Sequence, residues 1–394
     1  MKRRLFFSAF GLLLSFSVST EAALGTKDSA LPLKYSVAPA PEWTDLFKRS
    51  NGWFGADGIF SVPLSGVDKN NNASNEYTLL LFSDTFIGEV NDGKPLPGYA
   101  MVNNSIAYFK GNDPDPKSIR FYYRRGRDDK PASIFVPETS TAARPQHFWL
   151  GDGFVNKELE DQLYLFAYKV ERTGPGVFDF ITPEVSIIAI PRASNPPFTE
   201  QRQIPTSLHI RNDRLGEGNF GAGVWVNTQW AGAPVPDGYV YVYGCVGKDK
   251  NVVAARVKPK DFEILPNWRY WDGNGWNQNK DALKPLTTGA SDELSMTPLP
   301  DGRFLLIFQV MGLSDKVGMR IAESPVGPFS EIKEIWTVPE WKEGLWTYNA
   351  KAHFNLSKPG ELLISYNTIK DDFWRAIKRD AHIYRPRFIR LKFE

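Results

Sequence analysis

Cysteine is almost missing from this 394-residue chain: Cys245 stands alone, so no intrachain disulfide can form. Stability must come from a packed core, and a chain of this length can bury one. Histidine is scarce too. Four are present, none in an HExxH spacing, and with no second cysteine the usual zinc signatures are excluded. Charge of one sign is also lacking. The 47 basic and 45 acidic side chains leave a formal net charge of +2, so no global field draws nucleic acid or an anionic membrane. The short basic cluster Arg124, Arg125 and Arg127 reads as a solvated loop, and Gly151-Asp-Gly153 as a turn, not a phosphate loop.

Long apolar runs are confined to the N-terminus. Lys2, Arg3 and Arg4 precede Leu5 to Val18, which ends near the small residues Ala22 and Ala23. That run of about 14 residues falls short of the ~20 a helix needs to cross a bilayer. Residues 1–23 therefore read as a secretory signal peptide, cut after Ala22 or Ala23. The expectation is a secreted or periplasmic mature chain with no membrane span.

Aromatic residues are abundant, with 12 Trp, 15 Tyr and 27 Phe. Most belong in a core, although their ring faces also suit stacking on sugars. One unit recurs through the chain, a short apolar strand after a turn: Tyr77 to Phe82, Leu163 to Tyr168, Tyr239 to Tyr243, Phe304 to Phe308 and Glu361 to Tyr366. Each copy has a strand candidate before it (58–64, 148–154, 221–226, 294–299 and 350–356) and another after it (105–109, 185–190, 252–257, 318–322 and 387–391). Three strands repeated five times, with outer strands filling the intervals, predict an all-β, single-domain, five-bladed β-propeller over residues 51–394. The 29 prolines leave little room for long helices; residues 371–381 are the best short helix. Within the leader, 24–50, residues 31–39 either close the last blade as its outermost strand or form a disordered lead-in.

In a propeller the starts of the inner strands converge at one end of the axis. Aligning the repeats there places Asp57, Asp292 and Asn349 in one column, joined by Glu217, Asn219, Gln146, His147 and Trp149. Asp57 sits among small residues at the mouth of the first inner strand. Asp84 breaks the end of an apolar strand where other repeats carry Tyr168, Val310 and Asn367. Two carboxyls in one cleft can have their proton affinities driven apart, as glycoside hydrolysis requires; the plainer alternative is that both cap turns beside glycine or a strand end. Glu217 and Glu293 are weaker candidates to assist. Trp53, Asn104, His147, Trp149, Asn219, Trp225, Asp292, Trp346, Asn349 and His353 are the candidate substrate-binding residues, with Tyr348 and Lys351 approaching the same axis. An axial calcium is compatible with a ring of carboxylates and carbonyls, but no loop carries its ligand spacing, so no metal and no cofactor is expected.

The segments Trp53-Phe-Gly-Ala-Asp-Gly58, Phe82-Ser-Asp-Thr-Phe86, Asn103-Asn-Ser105, Tyr348-Asn-Ala-Lys-Ala-His353 and Tyr384-Arg-Pro-Arg-Phe388 resemble the bacterial family called domain of unknown function 4185 and its relative 5005. The resemblance spans nearly the whole mature chain. The 4185 group includes glycoside hydrolase family 183, secreted endo-D-arabinanases with a five-bladed propeller and a catalytic aspartate pair. What this implies is a polysaccharide or oligosaccharide substrate, with an arabinan-type furanoside as one such target, and Asp57 and Asp84 as the catalytic pair. The long Asn-rich loop 65–76 and the 5005-like tail are departures from that group. The rivals are a non-catalytic, lectin-like propeller, in which Trp53, Trp225, Trp271 and Trp346 stack on sugars, and a protein-interaction scaffold.

Overall fold

The computed structural model describes residues 33–394 except 142, 175, 177 and 178, so the signal-peptide segment lies outside the described residues. The protein is all-β. Five antiparallel sheets follow one another along the chain. The first holds Phe60–Pro63, Tyr77–Phe82, Ser105–Lys110 and Ile119–Tyr122; the second His147–Asn156, Gln162–Arg172, Phe180–Ile190 and Arg202–Pro205. The third is built on Gly216–Asn227, Tyr239–Val246, Asn251–Val257 and Arg269–Trp271, with His209–Asn212 and Trp276–Asn277 on its edges. The fourth holds Leu294–Pro298, Phe304–Gln309, Lys316–Ala322 and Lys333–Thr337.

The fifth sheet joins the two ends of the described chain. Trp346–Ala352, Glu361–Ile369 and Arg387–Phe393 come from the C-terminal part, and the fourth strand is Tyr35–Pro39, in register from Tyr35 opposite Phe393 to Pro39 opposite Ile389. Of the two readings of residues 31–39, the closing strand holds from Tyr35 onward.

The second strands are the apolar repeats seen in the sequence. Leu79–Phe82 and all of Phe304–Gln309 are buried because each sheet is covered on both faces by its neighbours. Fully burying such an aliphatic or aromatic side chain stabilises by about 1.5–3 kcal/mol relative to leaving it exposed. Successive first strands lie side by side from the first sheet to the fifth, and His353 Nδ1 lies 3.0 Å from Ser61 Oγ, linking the fifth sheet to the first. A cavity of about 50 Å³ between them is lined by Ser61, Asp68, Asp152, Ser295, Thr297 and Lys351 among others.

Two expectations shift. The inner strand of the fifth sheet spans Trp346–Ala352 and not 350–356. Its register slips between Tyr348 and Lys351, where Asn349 takes a left-handed φ of 59°, and this bulge hides the alternation. The helix expected at 371–381 is shorter, Phe373–Arg379. A further small sheet was not foreseen: Asn51–Ala56 and Thr85–Asn91 pair with one another, joined by Lys94–Pro95 and Ala100–Val102. It prolongs the first sheet beyond its end, and its Phe54 and Phe86 pack with Phe373 and Tyr384.

Candidate active site

Asp57 lies between Asn51–Ala56 and Phe60–Pro63, and Asp84 between Tyr77–Phe82 and Thr85–Asn91. Both paired lines of backbone break at the same level, where the first sheet gives way to the small one. Across the break the Asp57 amide donates to the Asp84 carbonyl at 3.3 Å, and the Ser83 amide donates to the Asp57 carbonyl at 2.9 Å. Gly58 allows the turn, with φ of 63°. Both aspartates are half-buried.

Their surroundings differ. Tyr348 donates its hydroxyl to Asp57 Oδ2 at 2.9 Å, and the Tyr384 hydroxyl stands beside the same carboxyl. Burial pushes the Asp57 carboxyl above its ordinary range, while the two phenols and the charge of Lys351 pull it back. Asp84 accepts from Asn103 Nδ2 and from Trp149 Nε1, each at 3.0 Å and each on Oδ1. Burial, reinforced by the charge of Asp57, pushes Asp84 up to about 7 against these donors and the more distant Arg172.

A third carboxyl adjoins them. Glu293 Oε1 accepts from Asn349 Nδ2 at 2.8 Å, and Oε2 is ion-paired with Lys351. Burial raises Glu293 to about 7 against the pull of Lys351, with Asp57 and Asp292 adding to the rise. A Cβ at position 58 would lie 3.2 Å from Glu293 Oε1, so this carboxyl rests against the glycine that follows Asp57.

Other sequence candidates divide. Trp149 is in the site, its ring against Phe180 at 4.6 Å between centroids and His147 at 5.8 Å. His147 is pushed down to about 4, chiefly by burial and then by Arg172, which makes it neutral at pH 7. Trp346 begins the strand that carries Tyr348 and Asn349 and is half-buried.

Several candidates are corrected. Trp53 and Trp225 are core residues, 2% and 1% exposed, with no face left for a sugar; Trp53 stacks on Phe121 at 4.6 Å. Asn104 is wholly buried and ties the backbones of Phe135 and Phe148 together. His353 is buried between Ser61 and Ser365 and is a structural link. Glu217 is exposed and paired with Arg211, outside the acid group; Asn219 is engaged by His209 and Thr182. Asp292 faces solvent and pairs with Lys250 Nζ at 2.6 Å.

Asn103 and Tyr384, which belong to segments that carry the family resemblance but were not expected as site residues, stand beside Asp84 and Asp57, and the cavity between the first strands is lined by Asp68 and by Asp152, which lies in the strand His147–Asn156 and not in the expected turn. Burial raises Asp68 and Asp152 to about 7. Among the described residues no group of three or more His, Cys, Asp or Glu is placed to hold a metal ion.

The chain belongs to the family described as domain of unknown function (DUF5005), whose match covers residues 41–393. No curated protein matches it. Among solved structures it is similar to a candidate hydrolase from Bacteroides ovatus ATCC 8483, at 20% identity over 95% of this chain and 97% of that one, with a TM-score of 0.68. That likeness is one of fold. A more distant similarity, with a TM-score of 0.42 and 14% identity over 88% of this chain and 97% of the other, is to the α-L-arabinofuranosidase PaAbf62A from Podospora anserina in complex with cellotriose.

Proposed function

We propose that this protein is an exported glycoside hydrolase on a five-bladed propeller, cleaving a polysaccharide with Asp57 and Asp84. The observation that carries the reading is the pair itself: two half-buried aspartates on the two sides of one strand break, unequally hydrogen-bonded and electrostatically coupled. Two neighbouring carboxyls, at least one of which holds a proton near neutral pH, are the equipment of glycoside hydrolysis. The glycosidic carbon–oxygen bond breaks, its electron pair stays on the leaving oxygen, and that oxygen takes the proton of the acid. The ionised partner either takes a proton from the attacking water, which inverts the anomeric centre, or attacks that centre itself, which retains it.

The five meander sheets, each opened by a strand on a common ring and the last completed by Tyr35–Pro39, support the propeller. The resemblance to glycoside hydrolase family 183 supports a furanoside such as D-arabinan as the first substrate to try. The basic, apolar and small-residue order of residues 1–23 supports export.

The test is product release by the purified mature protein from a panel of bacterial and plant polysaccharides that includes D-arabinan, with Asp57→Asn and Asp84→Asn in parallel. Cleavage abolished in both folded variants upholds the reading. Binding without cleavage by all three proteins replaces it with a lectin-like one.

A further inference from the structure

The segment Tyr384-Arg-Pro-Arg-Phe388 faces two ways. Tyr384 stands beside the Asp57 carboxyl, whereas Arg385 and Arg387 line a separate open cleft of about 590 Å³. Its walls include Leu345, just before the first strand of the fifth sheet, Lys370, just after the second, and Arg387, at the start of the third. Asp57 and Asp84 hold the equivalent places in the first sheet, so the cleft opens at the same end of the strands as the carboxyl pair. Leu345 and Ile383, on its apolar side, pack in one cluster with Phe54, Phe86 and Tyr384.

The two arginines are not alike. Arg387 is committed: Nη1 donates to the Arg385 carbonyl at 2.9 Å, Nη2 to the His382 carbonyl at 2.8 Å, and Nε is 3.4 Å from Glu340 Oε1. Arg385 is 7% exposed and gives Nη1 to the Thr44 carbonyl, but its Nε is buried with no hydrogen-bond partner, and among the described residues it has no ion pair with a carboxylate. A buried guanidinium without an anion is costly, and it presents an edge suited to one. Two more polar atoms of the cleft are buried without partners, His382 Nδ1 and Asp372 Oδ1. Burial, then the charge of Arg385, holds His382 below its ordinary range, so it is neutral at pH 7.

We propose that this cleft binds a sugar acid, separately from the carboxyl pair: the carboxylate of a uronate lies on the free edge of Arg385, and its hydroxyls reach His382 and Asp372. The charge balance favours that class of ligand. Five cations and four carboxylates line the cleft, a surplus of one positive charge, which matches one carboxylate better than a doubly charged phosphate. Asp372 is an acceptor, suited to a hydroxyl and not to a second anion. The volume falls within the ~300–1,000 Å³ of small-molecule sites. The inference is independent of any cleavage at Asp57 and Asp84.

Isothermal titration calorimetry of the full mature chain tests it, with D-glucuronate and D-galacturonate as probes and D-glucose and inorganic phosphate beside them. At least one uronate should bind about tenfold or more tightly than either comparison compound, because only it offers both the charge and the hydroxyls. Arg385→Lys, which loses the planar edge and keeps the charge, should weaken that binding by about tenfold or more. The fold uses His382 through its backbone, which donates to Asp380 Oδ1 and accepts from Arg387. His382→Ala therefore keeps the test alive if Arg385→Lys fails to fold, and it should weaken binding by about threefold or more. No binding of either uronate, phosphate binding as tight as uronate, or an affinity unchanged in either folded variant overturns the proposal. Binding lost in Asp84→Asn but kept in Arg385→Lys would move the sugar acid to the carboxyl pair and overturn it as well.

Discussion

Asp57 and Asp84 occupy the same break in two paired strands, joined through the Asp57 amide and the Asp84 carbonyl at 3.3 Å. Because both lines of backbone leave the first sheet at that level, neither side chain is committed to a sheet face.

Removing either carboxyl should abolish turnover without unfolding the protein. Asp57→Asn and Asp84→Asn keep side-chain volume and each relieves a burial penalty, so thermal stability should hold or rise. Product release from the responsive polysaccharide should drop by about 10²–10⁴-fold or more in each. Circular dichroism melts beside end-group assays check this, and retention of more than a tenth of wild-type activity by either variant would remove it from the catalytic pair.

Stability should decline as pH rises from about 4 to about 7. Asp68, Asp84, Asp152 and Glu293 are all raised to about 7 by burial, so across that window these four groups bind more protons folded than unfolded and outnumber His147 and His353, which burial holds at about 4 and about 3 and which act in the opposite sense. With more protons on the folded state, the slope of unfolding free energy against pH is negative. The benefit of the raised groups is complete below the unfolded value and is lost as pH passes the folded one. Melting temperatures across pH 4–8 measure the trend.

Asp68 offers the cleanest variant of that effect. Its rise has burial as its cause and no compensating donor. Asp68→Asn should stabilise the protein at pH 8 by about 1–2 kcal/mol, and the gain should vanish at pH 4, where the wild-type residue is already protonated. Urea unfolding at the two pH values tests it; a pH-independent difference would mean that packing, not charge, sets the effect.

Gly58→Ala should damage both stability and activity. The residue has φ of 63°, and a Cβ there would lie 3.1 Å from Ser83 Oγ and 3.2 Å from Glu293 Oε1. A loss of about 1 kcal/mol follows from the backbone alone. Displacement of Glu293 should add a shift in the pH profile, which a stability defect by itself would not produce.

Deleting residues up to Pro39 should destabilise the whole domain. The strand Tyr35–Pro39 pairs along its length with Arg387–Phe393, and its Tyr35 and Val37 pack on the core between the fourth and fifth sheets. Its removal exposes Arg387–Phe393 as an unpaired edge, which invites aggregation. A melting temperature unchanged by the truncation would show the closure to be dispensable.

Much of the architecture is written in local patterns. The second strands were legible because burial on both faces demands unbroken apolar runs, as in residues 79–82 and 304–308. Asp84 was legible because a carboxylate ending such a run has no packing reason to be there. The inner strand Trp346–Ala352 was misplaced because a bulge at Asn349 breaks the period on which the reading depends. Trp53 and Trp225 drew attention as sugar platforms because the sequence records a ring's presence and not which face of the sheet it enters.

The sequence by itself determined the strand content, the repeated unit, the absence of disulfides and the two aspartates worth testing, since each follows from residue type and short-range spacing. Only the tertiary structure decided which acids meet. Glu293 reaches Asp57 through a glycine 235 positions earlier in the chain, Lys351 pairs with Glu293 from the next sheet, and Tyr384 arrives from beyond the last helix, whereas Glu217 turns away to Arg211. Proton affinity depends on burial and on charges a few ångströms away, and both are fixed by how the sheets pack against one another rather than by order along the chain.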